Sequence, residues 1–410
     1  MRECLRRSIL VLAGAALLGC GDGFGPITEL PRELTSVERA LVDADNDFAV
    51  RIFERVNAQS SADSNLFLSP LSISVALGMT INGAGGETMD AIAATLGFSG
   101  LQIDEINQGY RGLIDLLVEL DPRVTMNIAN SLWHRPEFSV QAAFLDALAT
   151  FFDARVEALD FGAPNAPDII DQWVSDHTNG LIESIAPRPI REEIVMFLIN
   201  AVYFKGDWTH RFDESLTMAR PFTLLDGTEK SVPTMRHEDD VPVRIGGDDL
   251  VDLLELSYGG DAFTMVAAVP RPGVTLEEVV EEFDAVRWNQ WVASLDSTDM
   301  TVVMPKFEFE YSVRLNDILS DMGMAIAFDP NLADFSGINP TAELYIDRVQ
   351  HKAFVRVDEV GTEAAAATSV DFGVTSAPPV FQIDRPFIFV LRERISGTIL
   401  FMGKVVDPAP

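Results

Sequence analysis

Ser69 and His351 are the side chains in this sequence whose types best suit covalent chemistry. A serine hydroxyl becomes a nucleophile when an imidazole takes its proton, and the two need to meet in space rather than in sequence. Ser69 also precedes Pro70. Serine as helix cap with proline at the first helical position is the commoner arrangement, because the missing proline N–H has no partner to lose there. The wider search finds no Gly-x-Ser-x-Gly, no His-Glu-x-x-His and no Walker loop. His134, His177, His210, His237 and His351 stand nowhere at metal-ligand spacing. Glu308 and Glu310 share one strand face and read as solvated. Gly83-Ala84-Gly85-Gly86-Glu87-Thr88 has the glycines to cradle a phosphate, but no lysine follows them, so it reads as a turn before a helix. No metal, no cofactor and no enzymatic activity is expected.

The most unusual stretch covers residues 358–379. Ala364, Ala365, Ala366 and Ala367 favour helix, while Gly361, Pro378 and Pro379 mark irregular chain. Taken in steps of two, Thr362, Ala364, Ala366, Thr368, Val370 and Phe372 are small or apolar. Glu363, Ala365, Ala367, Ser369, Asp371 and Gly373 form the other, small or polar, set. That alternation suits a strand with one buried face.

The elements around it must fit 410 residues, of which 47% are hydrophobic, enough for one large core. The net charge of −33 argues against nucleic acid and other polyanions. Arg2, Arg6 and Arg7 precede a short apolar run over residues 9–18, which reads as a secretory signal. Leu17-Leu18-Gly19-Cys20 resembles a bacterial lipobox, in which the cysteine is acylated. Residues 1–19 are then a leader and 20–35 a flexible tether. The mature chain keeps no free thiol, and its net charge is about −35.

Periodicity predicts helices over 36–56 with Ser36 as cap, from Pro70, over 103–120, 144–152, 167–177, 276–283 and 315–322. Strands are expected at 65–68, 123–133, 156–161, 195–203, 251–256, 263–269, 301–304, 307–311, 344–346, 351–357, 381–383, 386–392 and 398–406. Helices gather early and strands late, so the fold class is α+β in one domain over residues 36–410.

From about residue 36 onward the chain resembles a serpin. The resemblance rests on colinear motifs: Asn65-Leu66-Phe67-Leu68-Ser69-Pro70-Leu71-Ser72-Ile73, Gly83-Ala84-Gly85-Gly86-Glu87-Thr88, Ala129-Asn130-Ser131-Leu132-Trp133, Asn200-Ala201-Val202-Tyr203-Phe204-Lys205-Gly206-Asp207-Trp208, Val232-Pro233-Thr234-Met235, Met304-Pro305-Lys306-Phe307, Ala333-Asp334-Phe335-Ser336-Gly337-Ile338, His351-Lys352-Ala353-Phe354 and Asp384-Arg385-Pro386-Phe387-Ile388-Phe389. It implies three sheets, eight or nine helices and an exposed reactive loop. It further implies irreversible inhibition of a serine, or cysteine, protease. The enzyme cuts the loop, is trapped as an acyl-enzyme, and is carried off as the loop enters the large sheet.

The hinge would run from Glu359 through Gly361, Thr362, Glu363, Ala364, Ala365, Ala366 and Ala367 to Thr368. Val360 departs from the family, which often has a charge there. Family spacing of sixteen residues from Glu359 places the cut at Thr375–Ser376, suiting elastase-like or subtilisin-like enzymes. The alternative bond, Phe372–Gly373, would suit chymotrypsin-like ones. Ser69, Ser72, Asn200 and His351 would form the polar shutter beneath the opening strands, and Trp208, Lys306 and Glu359 the breach where the loop enters. The resemblance leaves open a non-inhibitory binding or chaperone-like role. A monomer is expected, held to the membrane only through Cys20, periplasmic or at the cell surface. No heparin-type cofactor is expected, because Arg111 is the lone basic residue of the 103–120 helix.

Overall fold

A computed structural model describes residues 25–362 and 380–409. The leader, Cys20 and loop residues 363–379, with both candidate bonds, lie outside them. The first half runs α1 (Ser36–Gln59), β1 (Leu66–Leu68), α2 (Pro70–Ile81), α3 (Gly86–Leu96), α4 (Ile103–Glu119), β2 (Val124–His134), α5 (Ala142–Phe152), β3 (Arg155–Ala158), α6 (Ala166–His177) and β4 (Met196–Asp207). Next come β5 (Met218–Thr223), β6 (Glu229–Arg236), β7 (Val241–Gly247), β8 (Val251–Tyr258), β9 (Phe263–Pro270), α7 (Leu276–Glu281) and α8 (Ala285–Ala293). The chain closes with β10 (Asp296–Pro305), β11 (Phe307–Arg314), α9 (Asn316–Leu319), α10 (Ala325–Phe328), β12 (Gln350–Val357), β13 (Gly361–Thr362), β14 (Val380–Gln382), β15 (Phe387–Glu393) and β16 (Ile399–Val405).

One sheet has six strands in the order β11-β12-β13-β4-β2-β3. The other runs β1-β16-β15-β9-β8-β7-β10-β6-β5, with β14 branching from β10. That second sheet is two sheets joined by one strand. Asp296 to Met300 of β10 pair with β7, and Val303 to Pro305 pair with β6. The expected three-sheet α+β architecture is therefore present. Every residue of β9, β15 and β16 is buried, as strands covered on both faces must be. α2 is buried on all sides except Ala76 and packs on β4 and β16, so it lies between the two sheets.

Several expectations change in detail. The cap of α1 is Thr35, not Ser36. Thr35 accepts from Glu38 N while the Glu38 carboxylate takes the Thr35 N–H, a reciprocal pair one residue earlier. The part of the tether beyond Ile27 is not loose: Ile27 and Leu30 pack on the core and Leu34 is buried. No strand forms at 344–346, where Ile346 N bonds Ala327 O at the end of α10 instead of a neighbouring strand. The helix expected over 315–322 splits into α9 and α10 around a π turn at Ser320–Met324, where Gly323 has φ 119°. β5, β6, β7 and α8 were not expected. Gly83 is there for packing, since a Cβ would lie 2.2 Å from Ile338 Cγ1.

Asp45 is a core carboxyl with no ion-pair partner among the described residues. Asp45 Oδ1 accepts from Ser74 Oγ and from Tyr110 OH at 3.1 Å, and Oδ2 has no partner among the described residues. Burial pushes its pKa up to about 7 despite those two hydroxyls. Folding therefore favours protonated Asp45. Its stabilising share is complete below the ordinary carboxyl pKa of about 4 and is lost as pH rises to about 7. His237 and His351, both pushed down to about 4 chiefly by burial, act oppositely, losing stability as pH falls from 6.5. We expect Asp45→Asn to raise the melting temperature at pH 8 by an amount that vanishes near pH 4. Thermal scans of both proteins across that range check this, and a pH-independent difference would contradict it.

Candidate functional site

The site is a slot in the six-stranded sheet. β4 pairs with β2 from Met196 to Gly206, and β12 pairs with β11 along its whole length. On their facing sides, among the described residues, these strands bond only to β13. Gly361 lies opposite Asp207, and Thr362 lies between Gly206 and Val357. Below Thr362 the two edges run on without a ladder. A cavity of about 30 Å³ sits between Val202, Phe204, Ala353 and Thr362. A larger one of about 360 Å³ follows, between the lower half of β4, α2, Ile170 and residues 342–351. Gly361 is required at the top, because a Cβ there would lie 2.1 Å from Gly206 O and 2.6 Å from Asp207 Cα.

The top of the slot is tied shut by five residues, four of them through side chains and Phe212 through its backbone. Lys306 Nζ donates to Glu359 Oε2 at 2.7 Å, and Thr217 Oγ1 donates to Glu359 Oε1 at 2.6 Å. The Phe212 N–H donates to Glu359 O at 2.9 Å, and the Trp208 N–H donates to Val360 O at 2.7 Å. Trp208 Nε1 also donates to Asp358 O at 2.9 Å, and the indole stacks on Tyr258 with centroids 4.3 Å apart. The Tyr258 hydroxyl lies 2.9 Å from Thr362 Oγ1. Burial works to raise the Glu359 pKa, but the Lys306 and Thr217 hydrogen bonds and the ammonium charge bring it below the usual value. The carboxylate is thus ionised and held. Val360 is buried, which explains the departure noted there: a charge would be desolvated.

The floor is a polar cluster in an otherwise apolar core. His351 Nε2 accepts the Ser69 backbone N–H at 3.1 Å. Ser69 Oγ donates to Leu400 O at 2.9 Å and caps α2 by accepting from Ser72 N at 3.3 Å. Ser72 Oγ donates to Asn200 Oδ1, and Asn200 Nδ2 donates to Asn130 Oδ1 at 2.6 Å. Asn130 in turn donates to Phe152 O at 2.7 Å. His351 is neutral and the Ser69 hydroxyl points elsewhere, so the two are not disposed as base and nucleophile.

The structure brings together Ser69, Ser72, Asn200 and His351 in one place, and Trp208, Lys306 and Glu359 in another. Gly361 and Thr362 join the two strands. Asn130, Thr217 and Tyr258 belong to these groups and were missed. Asn130 had a signal, since it stands in the Ala129-Asn130-Ser131 motif on the strand paired with Asn200.

A family model described as Serpin (serine protease inhibitor) matches residues 43–408. Neuroserpin from Gallus gallus is 34% identical over 378 residues, covering 88% of this chain and 90% of that protein. Leukocyte elastase inhibitor from Xenopus laevis is 30% identical over 377 residues, covering 90% and 99%. The crystal structure of human thyroxine-binding globulin complexed with its ligand superposes with a TM-score of 0.82 at 30% identity, covering 92% and 100%.

The latch predicts its own failure. Glu359→Lys places two ammonium groups face to face and frees the Thr217 hydroxyl. The top of the slot should loosen, and the exposed edges of β4 and β12 should then take a strand from another molecule. Native gels after mild heating are expected to show ladders of oligomers, and unchanged monomer would contradict this.

Proposed function

The chain belongs to the serpin family, and from that premise we propose that it is an irreversible suicide-substrate inhibitor of elastase-like or subtilisin-like serine proteases. The slot carries this reading. Its first two places are filled by Gly361 and Thr362, and the edges below are unpaired among the described residues.

The register can be run forward. In a continued strand Glu363 falls between Lys205 and Arg356, on the exposed face. Ala364 falls between Phe204 and Val355, and Ala366 between Val202 and Ala353, on the buried face. Thr368 arrives between Asn200 and His351, the polar floor. Small side chains are thus assigned to the crowded positions, and a hydroxyl to the one place lined by hydrogen-bonding groups. Each ladder bond contributes about 0.5–1.5 kcal/mol net, so filling the slot releases on the order of 10 kcal/mol before the entropy of ordering the strand is subtracted. A protease joined to the loop as an acyl-enzyme would be drawn along with it. The scissile bond in this proposal is Thr375–Ser376, with Phe372–Gly373 as the alternative.

The same proposal includes acylation at Cys20 and an extracytoplasmic bacterial location. It includes a monomer that needs no polyanion: Arg111 of α4 is engaged by Asp115 at 2.9 Å. The likeness to thyroxine-binding globulin favours a second reading, a carrier that does not inhibit.

Incubation with elastase and with chymotrypsin separates these. The expected outcome is an SDS-stable complex with elastase, releasing a peptide that begins at Ser376. A peptide beginning at Gly373 moves the bond to the alternative, and cleavage without complex under all conditions favours the carrier. Thr362 already lies in the slot, so the discriminating variant is Ala364→Arg, which drives a charge into the next buried place and costs several kcal/mol when the strand continues. It should turn an inhibitor into a substrate that is cut and released. Lys205→Glu sets a carboxylate beside Glu363. A loss of about 1 kcal/mol slows insertion about fivefold and raises the stoichiometry of inhibition. An unchanged stoichiometry would argue against the register.

A further inference from the structure

The N-terminal arm is bound to the body at a particular place. Ile27 donates its N–H to Gly260 O at 2.7 Å. Arg394 reaches Ile27 O at 3.2 Å while its Nε holds Asp261 O at 2.9 Å. Further along, Arg32 clamps Glu38 at 2.6 Å and the Gly112 carbonyl at 3.0 Å. The turn that receives Ile27 is the turn that holds the top of the slot. Gly259 N donates to Asp207 O at 2.8 Å, Tyr258 bridges to Trp208 and meets Thr362, and Asp207 pairs with Gly361. Ile27 is therefore a few backbone hydrogen bonds away from the hinge.

We infer that the arm fastens the molecule by its reactive pole, so that whatever holds the chain upstream of Ile27 keeps the hinge end of the slot near it and the Glu343 end far from it. This rests on the reading that Cys20 carries a lipid, which makes the holder a membrane. Seven residues lead from Cys20 to Ile27, at most about 25 Å of extended chain. The slot edge from Gly206 to Met196 is longer, about 33 Å. The arm is too short for the body to turn over on it. The mature net charge of about −35 repels the body from anionic lipid. The loop is then offered to proteases at the membrane face, and a protease drawn down the slot moves away from that face.

The full mature chain can be tested with a hexahistidine tag in place of Cys20, bound to phosphatidylcholine vesicles that carry nickel-chelating lipid and an acceptor dye. With no other cysteine left in the mature chain, a donor dye goes on Glu214→Cys or on Glu343→Cys. Glu214 is exposed two residues from Phe212, whose N–H holds Glu359 O; Glu343 is exposed at the lower cavity. Energy transfer is expected to be about twofold greater from Glu214→Cys, given the separation of about 33 Å along the slot. Equal transfer, or greater transfer from Glu343→Cys, overturns the inference. Arg394→Ala, which removes one hold on Ile27, should narrow the contrast; an unchanged contrast assigns the orientation to something other than the arm and also overturns it. The mass of the N-terminal peptide from a bacterial membrane fraction reads acylation separately. An unmodified Cys20 would remove the lipid reading alone, and the vesicle result would still decide the pole.

Discussion

Two central strands whose facing edges are bridged, among the described residues, only by β13 are the constraint on which this molecule depends. In most sheets a backbone N–H or C=O on a central strand is spoken for. Here, among the described residues, β4 and β12 each satisfy one side fully and the other only at β13. The fold must keep that gap from closing on itself or on a stranger. It does so with groups at two levels. At the top, the Lys306–Glu359 pair and the Trp208–Tyr258 stack hold the hinge in place. At the floor, Ser69, Ser72, Asn130, Asn200 and His351 form a polar chain that gives β4, α2 and β12 a fixed spacing. A floor of apolar groups would pack as well in more than one register. Hydrogen bonds accept only one.

Local chemistry was legible where one residue and its near neighbours decide it. Ser69 and Pro70 announce the start of α2, and the apolar run of β4 announces a buried strand. β5, β6 and β7 were not legible, because they lie toward water and carry Pro221, Pro233 and Pro242. Proline argues against a central strand but is tolerated where its missing N–H faces no partner. The site was legible in its residue types and opaque in its geometry. The alternation from Thr362 onward is written in the chain, but the pairing of Thr362 with Gly206 and Val357 is a fact of distance. Thr217 and Tyr258 were invisible for the same reason, since each serves a residue more than a hundred positions away.

Burial of Asp45 adds a second tension, unrelated to the slot. A carboxyl whose neighbours are two hydroxyls links α1, α2 and α4, and burial makes its charged form the costlier one. The buried Glu255–Arg392 pair in β8 and β15 is the contrasting solution, a charge matched inside the core at 2.6 Å. The first arrangement loses stability as pH rises toward 7, and the second only as pH falls below the ordinary carboxyl range.

The two ends of the loop are rooted in different sheets. Thr362 stands between β4 and β12, whereas Val380 begins β14, which runs parallel to β10 in the other sheet. In the proposed reaction the two termini made by a cut start out together, and an amine released beside an ester can attack it and restore the bond. In the proposed mechanism, once the chain beyond Thr362 enters the slot, the amine would stay with β14 and the ester would travel with the protease. The local concentration of that amine, which for a tethered partner is commonly in the millimolar range, falls to nothing. Irreversibility of the proposed trap would then be a matter of separated reactants: the reverse reaction would lose its nucleophile.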